Sequence, residues 1–277
     1  MIPIHQSKQT SRSKIVINRL SELNDYDFGN PHRHEYFEFF CFIKGGGKHI
    51  IDFHEIEINS YSIQIVAPGQ VHQVNRALDS FGFVCLFELE SLNTSSDIQS
   101  FLFDHICFDL EERTPEYLVP EEKQSWFKMI TQMMWEDYRN ASEFSQMNIR
   151  ATIQQLCVRC MEWDNQKSAL RSGEYARFRR LLFQEFRNLK KVKDYANLLH
   201  VSEKSLNEMV KRNTGKSAST IIYDQVIVEA KRLLQTAISA KETAYNLNFD
   251  DPAHFSKFFK NQTGISPSEF QKQQINS

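Results

Sequence analysis

The sequence has little of what marks several large classes of protein. Five cysteines among 277 residues, an odd number without regular spacing, do not form the disulfide framework of a small secreted domain. No apolar run approaches the roughly 18 residues that a membrane span needs, and the N-terminus lacks the apolar segment of a secretory signal. These absences predict a cytoplasmic protein with no membrane partner.

Catalytic signatures are equally scarce. The sequence has no nucleophile motif, and the Gly45-Gly46-Gly47 run is not followed by a helix that could bind phosphate, so it predicts a hairpin turn. Cys157 and Cys160 form a CxxC pair on an apolar helical face, without a second Cys or His pair at zinc spacing, which favours packing over metal binding. We therefore predict no cofactor and no enzymatic activity.

Length and charge divide the chain in two. Its 277 residues exceed one average domain. Residues 174–277 carry 17 Lys and Arg against 11 Asp and Glu, whereas the rest carries 16 against 24. A basic half joined to an acidic half favours a nucleic-acid partner on the basic side. We predict domains over 1–165 and 175–277, joined by a polar linker over 166–174.

The N-terminal half is typical of an all-β domain. Aromatic and β-branched runs at 36–43, 55–58, 62–67 and 81–89 are separated by turn signals. Many short strands at close spacing favour a barrel or a sandwich.

Two helices are predicted after this domain, one starting at Pro120 and one after Ser142. In the second helix, apolar residues follow the spacing of a short coiled-coil seam: Ile149, Ile153, Leu156, Cys160 and Trp163. This seam fits two interpretations equally, packing on the β-domain or a homodimer interface.

The C-terminal half contains a degenerate internal repeat and reads as all-α. One copy contains Ser202, Leu206, Val210, Lys211, Thr214, Gly215 and Ser217, and 49 residues later the other contains Asp251, Phe255, Phe259, Lys260, Thr263, Gly264 and Ser266. Each copy predicts a short helix, a turn and a second helix, with His200 or Asn248 in the turn and Ser202 or Asp251 as the N-cap. The residues 221–235 predict a helix that connects the two copies.

Two helix-turn-helix units in one basic domain predict binding to double-stranded DNA. The outward faces of the second helices carry side chains that can contact bases or phosphates: Lys204, Ser205, Asn207, Glu208 and Lys211 in the first unit, and Ala253, His254, Ser256, Lys257 and Lys260 in the second.

This region resembles the AraC/XylS family of bacterial regulators from about Phe178 to Phe270. The most specific stretch is AYNLNFDDPAHFSKFFKNQTGISPSEF at 244–270, and EAKRLL at 229–234 matches the family's connecting helix. The family usually has Gly where this chain has Asn248. The resemblance implies a DNA-binding transcription activator or, less often, a repressor, which answers a small-molecule effector and works with RNA polymerase.

The N-terminal half carries the pattern H-x-H-x3-E at His32, His34 and Glu38, followed by Gly45 and, after Pro68-Gly69, by His72. This pattern looks like the two motifs of a cupin barrel. Alternation along a strand predicts that His32, His34, Tyr36, Glu38 and Phe40 share one face, with His72 arriving from a neighbouring strand.

Three interpretations of this cluster stay open. The residues suit a polar organic effector bound against an aromatic wall, a divalent metal held by imidazoles and a carboxylate, or a purely structural hydrogen-bonded network. The first gives our main hypothesis, an effector-controlled, homodimeric transcription regulator with a cupin-like sensor, for which no metal is predicted. The second gives the alternative, a metal-dependent cupin enzyme tethered to DNA.

Overall fold

The computed structural model describes residues 4–5, 15–22, 30–52, 54–106, 115–164, 173–235 and 238–275. Its contacts divide the chain into an N-terminal unit over Ile4–Leu170 and a C-terminal unit over Arg171–Ser277. Residues 166–172 of the predicted linker lie outside the described residues, as does Cys107. Within the described ranges, no helix combines the length and the apolar character that crossing a membrane requires.

The N-terminal unit is rich in strands. They are β1 (Ile4–His5), β2 (Val16–Arg19), β3 (Arg33–His34), β4 (Phe37–Lys44), β5 (Gly47–Ile51), β6 (His54–Glu57), β7 (Ser62–Val66), β8 (His72–Arg76), β9 (Phe81–Phe87) and β10 (Glu116–Leu118). Two antiparallel sheets result, one with the order β10-β7-β4-β9-β2 and one with the order β6-β5-β8, while β1 pairs with β3 in parallel.

The two antiparallel sheets share an apolar core. Its buried members come from both sheets and include Phe40, Phe42, Val66, Val84, Ile51, Ile56 and Val74. Strand β4 is buried on both faces, since Phe39 and Cys41, which point away from this core, are also fully buried. Burial on both faces explains why the predicted strand at 36–43 is apolar at every position except Glu38, instead of alternating.

The glycine run at 45–47 is not a hairpin turn, contrary to the sequence prediction. Strands β4 and β5 belong to different sheets, so this run carries the chain from one sheet to the other. A Cβ atom on Gly45 would lie 2.2 Å from the carbonyl oxygen of Ile58, and Gly46 has a φ of +117°. Only glycine fits this crossing without displacing the neighbouring backbone.

The described part of the N-terminal unit also contains four α-helices: α1 (Leu89–Leu92), α2 (Ser96–Ile106), α3 (Gln124–Asn140) and α4 (Ser145–Trp163). The prediction of a β-domain followed by two helices is confirmed for α3 and α4. It is incomplete before them, because α1, α2 and β10 lie between β9 and α3.

The apolar seam of α4 packs inside the N-terminal unit. Ile149, Ile153, Leu156 and Cys160 are all fully buried, and α4 packs against α3. This burial favours the packing interpretation of the seam. Burial also raises the pKa of Cys157 and Cys160, which keeps both thiols protonated and unreactive near neutral pH.

The C-terminal unit is helical in all its described parts. Its helices are α5 (Glu174–Glu185), α6 (Val192–Leu199), α7 (Glu203–Thr214), α8 (Ala218–Gln235), α9 (Ala240–Asn246), α10 (Pro252–Thr263) and α11 (Pro267–Ile275). We call α6 with α7 the first reading unit, and α9 with α10 the second. Helix α8 connects them, as the repeat predicts.

The turn chemistry of both reading units follows the sequence prediction. His200 and Asn248 adopt positive φ angles of 58° and 51°. The Ser202 hydroxyl accepts a hydrogen bond from the Ser205 amide at 3.1 Å. The Asp251 carboxylate accepts one from the Ala253 amide at 2.8 Å. These caps satisfy backbone donors that the first turn of a helix leaves open, and they fix where α7 and α10 begin.

Candidate DNA-binding surface and buried histidine cluster

Helices α7 and α10 each turn one face inward and one face to solvent. Leu206 and Val210 in α7, and Phe255 and Phe259 in α10, have no exposed surface. Most of the predicted DNA-contacting residues lie exposed on the opposite faces: Lys204, Ser205, Glu208, Lys211, Ala253, His254, Lys257 and Lys260. Both faces therefore present lysines to the solvent at equivalent helical positions, Lys211 and Lys260.

Two of the predicted DNA-contacting residues make side-chain hydrogen bonds within the C-terminal unit. The Asn207 side chain donates to the Glu203 carbonyl oxygen at 3.1 Å and accepts from the Ala218 amide at 3.1 Å, which ties α7 to the start of α8. The Ser256 hydroxyl donates to the Pro252 carbonyl oxygen at 2.9 Å. Both side chains are half-buried, so they offer less to a DNA partner than the exposed residues do.

The N-terminal unit brings its predicted site residues together in its interior. His34 Nε2 lies 3.1 Å from His72 Nε2, and the Glu38 Oε2 atom lies 3.3 Å from the first and 3.5 Å from the second. Tyr36 stacks on His34 with the ring centroids 4.2 Å apart, and the His32 and His72 centroids are also 4.2 Å apart. None of these five side chains is more than 7% exposed.

Strand geometry explains how they meet. Glu38 and Phe40 alternate along β4 and point to the core between the sheets, as predicted. His34 lies in β3, and a bend at residues 35 and 36 separates β3 from β4. The single strand that the sequence predicts is therefore divided into two strands. His32 reaches the cluster because an isolated antiparallel bridge pairs it with His72, at the start of β8.

Sequence reasoning missed His49 and Gln64. His49 Nε2 lies 3.1 Å from His72 Nδ1, and His49 Nδ1 lies 2.9 Å from Gln64 Oε1. We call His34, Glu38, His49 and His72 the histidine cluster. A signal existed for Gln64, because alternation along β7 puts it on the same face as the core residue Val66.

The hydrogen bonds of Gln64 and His49 determine which ring nitrogens in the cluster carry a hydrogen. Gln64 Nε2 faces the Glu57 carbonyl and the Glu116 carboxylate, which can only accept, so Gln64 Oε1 must accept from His49 Nδ1. Burial lowers the pKa of His49 to about 4, so this ring is neutral near pH 7 and its Nε2 is an acceptor. His72 Nδ1 therefore carries the hydrogen that bonds it.

When the rings are neutral, His34 Nε2, His72 Nε2 and the Glu38 carboxylate are therefore all hydrogen-bond acceptors. His34 Nδ1 donates to the Tyr36 carbonyl oxygen at 2.7 Å, which leaves a lone pair on His34 Nε2. That lone pair, the one on His72 Nε2 and the Glu38 carboxylate face one another across 3.1–3.5 Å. Such a convergence is repulsive unless a proton or a metal cation lies within it.

The electrostatics of Glu38 also call for positive charge within the cluster. Burial alone would raise its pKa, but Coulombic attraction and a hydrogen bond from His34, with smaller attractions from other imidazoles of the cluster, outweigh burial and hold the pKa below its usual value. An ionised carboxylate inside the protein needs a positive partner, because an uncompensated buried charge is very costly.

The donor set also fits a metal ion. The ligand atoms of His34, Glu38 and His72 all lie within 4.8 Å of one another. Two neutral imidazoles and one carboxylate are a common set for iron, zinc or manganese. His34 and His72 each donate their other ring hydrogen to a protein acceptor, the orientation that metal-binding histidines usually have.

The comparisons with known proteins agree with the geometry of the C-terminal unit. A family model described as a helix-turn-helix domain matches residues 195–273, which include α7, α8 and both turns. The arabinose operon regulatory protein of Salmonella typhimurium is 38% identical over 71 residues, which are 25% of this chain and 25% of that protein. The Msm operon regulatory protein of Streptococcus mutans is 28% identical over 96 residues, 34% of each chain.

Among solved structures, ToxT from Vibrio cholerae covers 95% of this chain and 98% of its own, at 16% identity and a TM-score of 0.46. The chain spans only a quarter to a third of the length of the two curated relatives that it matches. The repeat, the two turns and the matched residues show that the C-terminal unit is a helix-turn-helix domain. It is similar to part of the arabinose operon regulatory protein.

Proposed function

We propose that this protein is a sequence-specific DNA-binding transcription regulator and has no catalytic role. The observation that carries the proposal is the repeat. Two capped helix-turn-helix units in one compact unit expose equivalent helix faces with Lys204, Lys211, Lys257 and Lys260. A single solvated helix face would be unremarkable, but two matched faces on one domain suit two successive major grooves.

Helix α8 supplies the separation that this mode of binding requires. Its 18 residues, at 1.5 Å per residue, make a rod of about 27 Å. The adjoining short helices lengthen the path, so α7 and α10 can enter grooves about one duplex turn, roughly 34 Å, apart. The exposed side chains of α7 and α10 then supply base and phosphate contacts.

The N-terminal unit is proposed to be the effector sensor. The support is the buried histidine cluster, because polar groups inside an apolar core lower stability unless hydrogen bonds or a bound ligand compensate them. An effector that binds there would bias the chain toward one DNA-binding state and so activate transcription with RNA polymerase. Exposed apolar residues on α3 and α4, Met129, Met133 and Val158, support a homodimer.

The DNA proposal is tested by changing Lys257 to alanine in the full chain. Binding to promoter fragments should weaken while the thermal melt stays the same, because Lys257 is exposed on the outward face of α10. If the lysine neutralises a phosphate, the slope of log K against log salt should fall by about one; if it reads a guanine, discrimination at one base pair should fall by about 1–3 kcal/mol.

A matched control is Lys272→Ala, which removes the same charge from the exposed side of α11, outside both reading units. It should leave the binding profile nearly unchanged. Equal DNA binding by the parent and Lys257→Ala across a sequence library would remove Lys257 from the interface. Absence of salt-dependent binding by the parent would overturn the whole proposal.

A second candidate is that the histidine cluster holds a divalent cation, as an effector or as a resident ion. The three converging acceptors of His34, Glu38 and His72 favour it. The cation would neutralise their mutual repulsion, and His49 would orient His72 from outside. This candidate also keeps the metal-dependent enzyme open as an alternative function of the N-terminal unit.

Titration of the full chain, purified without chelator, with Co²⁺ tests the cation. Binding should produce the visible absorption of a coordinated cobalt ion, and His49→Ala should weaken the affinity by about 10–100-fold, as expected when an orienting partner is lost. His54→Ala, on the outer strand β6, is the control and should bind like the parent. A parent that takes up no Co²⁺ would leave a shared proton as the compensating charge.

A further inference from the structure

A short segment outside α8 also joins the two reading units. We call it the bracket segment, Arg187–Lys190, and it lies between the end of α5 and the start of α6. Its backbone is held on the side of the first reading unit. The Leu189 amide donates to the Glu185 carbonyl oxygen at 2.7 Å, and the hydroxyl of Tyr195, in α6, donates to the Leu189 carbonyl oxygen at 2.8 Å.

Three side chains of the bracket segment contact α8 or the second reading unit. Arg187 donates to the carboxylate of Glu229, a buried residue of α8, at 2.9 Å. The Asn248 amide donates to Asn188 Oδ1 at 2.6 Å, and Lys190 Nζ lies 4.9 Å from the centroid of the Phe249 ring. Asn248 and Phe249 form the turn of the second reading unit.

Helix α8 and the bracket segment together restrict the movement of one reading unit relative to the other. A single connecting helix sets the distance between two reading units, but long helices bend, and a bend or a rotation at either end would swing α10 relative to α7. The bracket segment adds a second line of attachment beside α8. It runs from α6 through Asn188 and Lys190 to the turn that immediately precedes α10, so movement at that end of α8 is opposed.

The residue at the centre of this attachment occupies an unusual backbone position. Asn248 has a φ of 51°, where glycine would be free of strain and most other residues are disfavoured. An asparagine there offers an amide that glycine lacks, and this amide makes the bond to Asn188. His200 has the equivalent backbone position in the first reading unit, with a φ of 58°.

We propose that Asn248, held by the bracket segment, is a positioning residue that sets which separation between two DNA half-sites the protein accepts. The inference rests on the proposed DNA-binding function. A rigid pair of reading units gains from simultaneous binding only at the separation that matches its geometry, whereas a looser pair spreads a smaller gain over several separations. The bracket thus contributes specificity for spacing, distinct from specificity for base sequence.

The test uses the full chain and duplexes of about 30 base pairs that the parent selects from a randomised library, long enough for two successive grooves. One or two base pairs are then inserted between the contacted segments. The parent should lose about tenfold or more in affinity, and Asn248→Gly only about threefold. Arg187→Ala, which cuts the tie to α8, should act in the same direction.

His200→Gly is the matched control. It makes the same kind of exchange at the equivalent turn, and among the described residues its side chain has no hydrogen bond to the second reading unit. It should keep the parent's spacing profile, and both glycine variants should keep the parent's thermal melt. Identical profiles for the parent and Asn248→Gly would overturn the role of Asn248. A parent that selects no sequence from the library would instead overturn the DNA-binding function itself.

Discussion

Phe255→Ala is expected to lower the free energy of unfolding of the C-terminal unit by about 3–5 kcal/mol, the usual cost of removing a fully buried phenylalanine. The ring has no exposed surface, and it packs against Phe249 and Phe259 at centroid distances of 5.4 Å and 5.9 Å. Loss of the ring leaves a cavity between α10 and the turn before it, so DNA binding should be lost with the fold. Chemical denaturation of the full chain, followed by far-ultraviolet circular dichroism, measures the effect.

The repeat offers two controls for this substitution. Leu206→Ala removes the equivalent residue of the first reading unit, also fully buried, and should cost about 2–5 kcal/mol. Ala253→Ser changes the exposed face of the same helix and should leave the transition in place. A denaturation curve of Phe255→Ala that overlays the parent's would show that α10 is turned the other way.

Replacing both His34 and Glu38 with alanine is expected to abolish the effect of the effector on DNA affinity. A typical coupling of about 1–3 kcal/mol corresponds to a response of roughly 5–150-fold, and all of it should be lost. An effector shifts a conformational equilibrium only through a difference in affinity for the two states, and these two side chains are the polar groups proposed to supply it. DNA titrations with and without the effector measure the response.

Basal DNA binding should survive in this double variant, because its proposed contacts all lie in the C-terminal unit. Glu38→Gln is a milder companion that keeps the shape of the side chain and removes its charge. It should reduce the response without unfolding the N-terminal unit. A folded double variant that retains the parent's full response would move the sensing site away from the histidine cluster.

The sequence predicts the C-terminal unit better than the N-terminal one, because the signals for its helices are local in the sequence. Caps, turns and helix faces depend on residues within one or two turns, so Ser202, Asp251 and Pro252 mark the helix starts directly. What the sequence does not show is the tie between Asn188 and Asn248. These residues are 60 positions apart, and neither has a pattern that indicates a partner.

The N-terminal unit depends on pairing between distant strands, and its polar strands give little signal in composition. Strand β8 is expected only as the strand that carries His72, and β5 is not predicted. Strand β8, with the sequence HQVNR, has only one apolar residue, Val74, and β5 begins with Gly47. Composition therefore gives no strand signal, although β5 and β8 form most of the three-stranded sheet. His49 was missed for this reason, since its place in the cluster follows only once β5 is known to be a strand.

The burial of the histidine cluster has a consequence for timing. His34, Glu38, His49 and His72 are each at most 1% exposed, so an effector of the proposed kind would reach them only when the surrounding structure opens. At high effector concentration, the rate of association would then be limited by the frequency of this opening and would no longer rise with concentration. A regulator built in this way would respond little to a pulse of effector that is shorter than the mean time between openings.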